Sequence, residues 1–185
     1  FAAAADAQIT GKLAVCAGSC GPGNLHLING LYDAHRSGAP VLAIASHIPS
    51  AQIGMGYFQE THPERIFIEC SSYTELVSTA VQSPRVVQSA IQHSVARNGV
   101  SVIVLPGDIA DCPAEGTPPT LVETRRPTVV PDAGDVKALA DVINGSRKVA
   151  IFAGAGVRDA RAEVLALAET VGAPIGHSLR GKEWI

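Results

Sequence analysis

Apolar and polar positions along this chain follow two rhythms: short continuous apolar runs, and longer stretches with an apolar residue every third or fourth position. Leu13 to Ala17 is an apolar run that leads into a glycine-rich turn, which predicts a short buried strand. Pro22 suits the first turn of a following helix, where its missing N–H would have had no partner. Leu25, Ile28, Leu31 and His35 fall on roughly one face of that helix, and Gly38 ends it. Val41 to Ala45 predicts the next strand. Residues 47–60, broken by Pro49, Gly54 and Gly56, predict a loop. Val86, Val87, Ala90, Ile91 and Val95 mark a second amphipathic helix, closed by Asn98-Gly99. Val100 to Leu105 is β-branched and continuous, as a parallel strand covered on both faces should be.

After Pro106 the texture changes. Residues 107–132 are rich in proline and poor in periodicity, which predicts a surface linker between domains. The pattern then restarts. Val136, Leu139, Ala140 and Ile143 share a helical face, and Lys148 to Ala153 predicts a strand. Gly154-Ala155-Gly156 turns into a helix with Val164, Leu167, Ala168 and Val171 inward, and Pro174 to His177 begins another strand. Strands alternating with helices on both sides of a linker predict an α/β fold of two units with mostly parallel sheets.

Composition narrows the function classes. The formal charge of -3 is scattered, so no basic stripe offers a footprint for nucleic acid. Apolar runs such as Val100 to Pro106 are too short to span a bilayer, and the first five residues, Phe-Ala-Ala-Ala-Ala, lack the basic flank of a signal peptide. Cys16, Cys20, Cys70 and Cys112 show no metal-type spacing and are expected to be reduced, mostly buried thiols of a cytoplasmic protein. Cys20 stands apart because it lies in the glycine-rich loop. Met55 is the only methionine, and the chain opens in what reads as mid-helix and stops after a strand-like segment. Both ends therefore read as cut.

Three motifs carry candidate chemistry. In Gly18-Ser-Cys-Gly-Pro-Gly-Asn24, glycines between a strand and a helix let backbone approach a ligand beside a helix N-terminus; the same residues also read as a tight turn. No Gly-Lys-Ser/Thr follows, so it is not a phosphate-binding P-loop. In Gly56-Tyr-Phe-Gln-Glu-Thr-His-Pro63, an aromatic next to an amide and a carboxylate can pack on a cofactor; alternatively Phe58 is a core anchor before a helix starting near Pro63. Gly154-Ala-Gly-Val157 resembles half of a dinucleotide fingerprint, with Asp159 where a third glycine would stand. His26 follows the first glycine loop and could face a ligand. His35 and His93 lie in helices and read as surface or packing residues.

Taken in order, Leu13-Ala-Val-Cys-Ala-Gly-Ser-Cys-Gly-Pro-Gly-Asn-Leu-His, Val-Leu-Ala-Ile-Ala-Ser-His-Ile-Pro-Ser, Tyr-Phe-Gln-Glu-Thr-His-Pro and His177-Ser-Leu-Arg-Gly-Lys-Glu resemble the pyruvate oxidases of the thiamine-diphosphate superfamily, most closely the quinone-reducing pyruvate dehydrogenases. The resemblance runs along essentially the whole chain. It implies residues 1–112 as the later part of a pyrimidine-binding domain, 113–132 as linker, and 133–185 as the opening part of a Rossmann-like central domain contacting FAD. It places Gly21, Pro22, Gly23, Asn24 and His26 near the reactive half of thiamine diphosphate, and Phe58 and Gln59 in the active site. Gly154, Gly156, Arg180 and Lys182 are placed near FAD. Mg2+ is implied as the third cofactor, with no metal ligand in this chain.

The implied activity is oxidative decarboxylation of pyruvate to acetate and CO2, with electrons passing through FAD to a quinone. Partners implied are identical subunits in a homotetramer and the inner face of the cell membrane, touched peripherally through a region outside this sequence. The family's activating glutamate is expected upstream of Phe1, so this stretch alone is expected to be inactive. Acetolactate synthase, on the same scaffold, and a non-catalytic truncated relative acting as a binding module are the competing expectations.

Overall fold

The computed structural model describes residues 1–113 and 123–185, and the chain divides into two compact units, Phe1–Thr128 and Val129–Ile185. In the first unit the apolar runs become a parallel sheet. Its elements are α1 (Ala2–Thr10), β1 (Ala14–Gly18), α2 (Pro22–Ser37), β2 (Val41–His47), α3 (Pro63–Ile66), β3 (Tyr73–Leu76), α4 (Ser83–Arg97), β4 (Val100–Pro106) and α5 (Gly107–Ala110). The strand order is β1-β2-β4-β3, every pair parallel.

Register explains why β2 and β4 are apolar on both faces. Val41 pairs with Val100, Ala43 with Val102 and Ala45 with Val104. These six residues point to one side, onto Ala4 and Ala7 of α1, Leu31 and Ala34 of α2, and the buried Phe67 and Cys70. The intervening Leu42 and Ile103 point to the other side, where Val77 and Val86 and Ala90 of α4 cover them. Small residues on β2 and on the inner helix faces let these layers approach closely. Ser94 of α4 donates its hydroxyl proton to the Val41 carbonyl at 3.1 Å, pinning that helix to the start of β2.

Some details differ from the sequence reading. Of the residues expected on one face of α2, Leu31 is buried but Leu25 is 46% exposed; Asn24 and Ala34 are buried as well. β3 has no counterpart in that reading, because Tyr-Thr-Glu-Leu is short, half-polar and only partly buried. Residues 107–110, read as linker, form the turn of helix α5, while 114–122 of the expected linker lie outside the described residues. Among the four free cysteines only Cys70 is buried, and burial pushes its thiol up to about 11.

The second unit comprises α6 (Ala133–Asn144), β5 (Ile151–Ala153), α7 (Arg161–Val171) and β6 (Ile175–His177), with β5 and β6 parallel. β5 is shorter than the run from Lys148 suggested. Of the residues expected inward on α7, Ala168 is buried but Leu167 is 43% exposed. The cause is a two-stranded sheet, too narrow to cover the helices: Phe152, Val136, Leu139 and Val142 are exposed as well.

Phe67 has the largest side chain among the fully buried residues described. Phe67→Ala is expected to lower the unfolding free energy by about 3–5 kcal/mol, read as a lower denaturant midpoint. Val81→Ala, at an exposed position of the same unit, is expected to change it by less than about 0.5 kcal/mol.

Candidate functional site

Because the strands of the first unit are parallel, Gly18, His47 and Pro106 all end at one edge of the sheet. Open α/β sheets place ligands at such carboxyl edges. The two motifs of this unit meet there. Gly21 precedes Pro22 at the N-cap of α2 with φ 65° and ψ -120°, a conformation that strongly favours glycine. A Cβ at Gly21 would lie 2.9 Å from both the Cβ and the carbonyl oxygen of Gln59. Glycine at 21 is therefore what lets the loop lie against the Phe58-Gln59 corner. The Cys20 thiol, half-buried, donates to Gln59 Oε1 at 3.4 Å across the same junction. Gly23 sits under the Ser19 side chain.

Asn24, in the first turn of α2, is fully buried. Its side-chain amide donates to the Ser46 carbonyl at 2.8 Å, joining the helix start to the end of β2, while its Oδ1 is buried with no partner. His26 lies elsewhere. Two positions past Asn24 it has turned about 200° around the helix, and it is exposed, lining a cavity of about 150 Å³ with Phe1, Cys16 and Gly30. The structure does not bring the His26 side chain together with Gly21–Asn24.

The 54–60 corner is held from within. Gly54 and Gly56 have φ 88° and 68°, and Gln59 has φ 63°, uncommon for a residue with a side chain. The Glu60 carboxylate accepts the backbone N–H of Gly54 and, at 2.9 Å, that of Tyr57. The Gly54 N–H is the main cause that holds the Glu60 carboxyl below its ordinary range. Phe58 is 80% exposed at the tip, which removes the alternative in which it anchors the core. α3 does start at Pro63, as that alternative supposed.

Two further groups stabilise the edge. Asp108 of α5 accepts the Ser50 N–H at 2.8 Å and the Ser50 hydroxyl proton, and that hydroxyl is the main reason its carboxyl is held low. His47 is buried, which lowers its pKa. Its Nδ1 accepts the Ile48 N–H at 2.9 Å, so the proton of the neutral ring resides on Nε2. Sequence reasoning singled out none of Glu60's loop bonds, the Asp108–Ser50 tie or the His47 tautomer. A carboxylate following two closely spaced glycines was the one available signal.

The edge thus presents an exposed aromatic ring, a side-chain amide and close backbone. No Lys or Arg occurs in 18–24 or 47–60, and no group of acidic, His and Cys residues among those described could hold a metal ion. This donor set fits an uncharged heterocycle and does not fit a metal-bound diphosphate. In the second unit Gly154 and Gly156 follow β5, and Arg180 and Lys182 follow β6, at the same edge of its sheet. A Cβ at Gly154 or Gly156 would meet nothing within 4 Å, so the space beside this loop is open. Gly181 packs under the Ala153 carbonyl, Arg158 stacks over the Trp184 ring at 4.6 Å, and Arg180 and Lys182 are exposed. No helix among the described residues is long and apolar enough to cross a membrane.

Comparison with known proteins gives two family matches. Residues 1–66 match the thiamine pyrophosphate enzyme N-terminal TPP-binding domain, and residues 136–185 match the thiamine pyrophosphate enzyme central domain. Over its full length the chain is 55% identical to an uncharacterized 42.6 kDa protein in the isoamylase 3′ region of Pseudomonas amyloderamosa, of which it covers 47%. It is 35% identical over 95% of its length to pyruvate oxidase of Lactiplantibacillus plantarum, covering 30% of that protein. It is 30% identical over 98% of its length to acetolactate synthase of Mycobacterium leprae, again covering 30%. The chain therefore spans less than half the length of these relatives.

Gly21→Ala tests the packing at the junction. Gly11 has a similar φ, 69°, but open space around it, so Gly11→Ala is expected to cost only the backbone term, about 1–3 kcal/mol. Gly21→Ala is expected to cost more in thermal denaturation and to shift the backbone resonances of Gln59.

Proposed function

Since this chain belongs to the thiamine pyrophosphate enzyme family, with regions of both the N-terminal and central domains, we propose that it is the part of a pyruvate-oxidising flavoenzyme that forms one wall of the thiamine site and the beginning of the FAD site. The observation that carries the reading is the contact of Gly21 with Gln59 at the carboxyl edge, beside the exposed Phe58. It brings together the two motifs that the oxidase resemblance assigns to one pocket.

Identity supports an oxidase over a synthase. The pyruvate oxidase matches at 35% and the mycobacterial acetolactate synthase at 30% over comparable lengths. The chemistry that thiamine diphosphate supplies when bound is attack on a keto carbon and storage of the electron pair left by departing CO2. The protein's own residues position and shield. Phe58 offers an apolar ring face to the heterocycle and excludes water. Gln59, whose Oε1 accepts the Cys20 thiol, presents Nε2 as the donor that orients the carboxylate or carbonyl of pyruvate. Gly21 keeps the backbone low enough for both to approach. In the central unit Gly154 and Gly156 leave room for close approach of FAD, and Arg180 and Lys182 supply positive charge for its diphosphate. Mg2+ would be held by groups other than those described here. A quinone as final acceptor, a homotetramer and peripheral membrane contact complete the proposal.

The test uses the full-length protein with pyruvate, thiamine diphosphate and Mg2+. Flavin absorbance in the purified protein, release of acetate and reduction of a quinone-analogue dye are expected. Acetolactate without dye reduction would instead establish the synthase, which the shared scaffold permits. Gln59→Ala is expected to lower kcat/KM for pyruvate by about 10–100-fold, on the order of the loss of an orienting hydrogen bond to a charged group. Unchanged turnover and KM would show Gln59 to be structural only.

A further inference from the structure

The corner that carries Phe58 and Gln59 has little packing of its own. Met55, Tyr57 and Phe58 are exposed, and three residues between 54 and 59 have positive φ. Loops with few buried contacts lie at the low-stability end of a fold. Beside the Cys20 and Gly21 contacts to Gln59, the turn is tied from within by one side chain. The Glu60 carboxylate reaches back over the turn to the N–H groups of Gly54 and Tyr57, while its own N–H donates to the Tyr57 carbonyl at 2.9 Å. The Gly54 and Tyr57 N–H groups converge on the inside of the turn, a concave anion seat. Here that seat is filled by the chain's own carboxylate. The next residue back is Gln59, and its left-handed backbone is the one packed on Gly21.

We infer that Glu60 is a positioning residue: its carboxylate, seated on the Gly54 and Tyr57 N–H groups, fixes the backbone of Gln59 against Gly21 and so sets where Phe58 and Gln59 stand in the pocket. The inference rests on the pocket reading for its effect on turnover, and on the loop geometry alone for its effect on loop order. Charged groups near Glu60 modulate it. His62 favours the ionised carboxylate, the buried His47 is influenced by both Glu60 and Glu64, and Glu64 itself lies 3.4 Å from His62 Nδ1. The pH dependence has a definite sign. Because Glu60 is held below the ordinary carboxylate range, its contribution is complete above that range and is lost as pH falls through the lowered value.

The experiment is Glu60→Gln in the full-length protein, read by amide hydrogen exchange and by steady-state kinetics. Glu60→Gln is expected to speed exchange at Gly54 and Tyr57 by about tenfold or more with the global thermal midpoint little changed. In the wild type the same protection, corrected for intrinsic exchange, should fall as pH drops below the carboxylate range; in Glu60→Gln it should be flat with pH. Glu60→Asp, which keeps the charge on a shorter arm, should recover part of the protection. With pyruvate, Glu60→Gln should lower kcat/KM, and Gln59→Ala combined with Glu60→Gln should be no worse than Gln59→Ala alone, since one residue acts through the other.

Unchanged exchange at Gly54 and Tyr57 in Glu60→Gln overturns the inference. So does full additivity of the two substitutions. If Gln59→Ala turns over pyruvate like the wild type, the assignment of Gln59 to the pocket fails, and the exchange result still decides whether Glu60 holds the corner.

Discussion

Seven consecutive parallel pairs between β2 and β4 govern everything else in the first unit. A parallel pair cannot be closed by a tight hairpin, so it depends on burial of both faces by the connecting helices. The residues of these strands meet that demand with Val and Ala toward α1 and α2 and with Leu and Ile toward α4. Once this register is fixed, the carboxyl ends of β1, β2 and β4 must lie at a common edge. The glycine loop after β1 and the long excursion after β2 are then neighbours, although a long stretch of sequence separates them.

Much of this was legible in the sequence for physical reasons that can be named. Val100 to Leu105 announces a doubly buried strand because it has no polar face to offer water. Pro22 and Gly38 bracket α2 because each has a conformation suited to one end of a helix. The α/β class with a parallel sheet follows from such elements. β3 was illegible because Tyr-Thr-Glu-Leu pairs only along one side, with β4, and a partly exposed edge strand has no continuous apolar signature. In α7 the 3.6-residue period was visible, but periodicity gives a direction only if the sheet beneath is wide enough to receive it, and two strands are not.

The site divides in the same way. Gly21, Phe58 and Gln59 could be picked out as motifs, yet no spacing rule says that Gly21 touches Gln59. That contact is a product of the β2 register. Asn24 and His26 are close in sequence, yet the helical turn sends their side chains to different sides. Glu60 looked like the tail of a motif. Its work lies in backbone N–H groups, which a sequence does not display.

The Cys20–Gln59 contact closes a segment of 39 residues. Closing so long a segment costs entropy that only the finished β2–β4 core offsets. The places of Phe58 and Gln59 thus depend on the sheet beneath them. Whatever loosens the β2–β4 register loosens the Gly21–Gln59 junction with it.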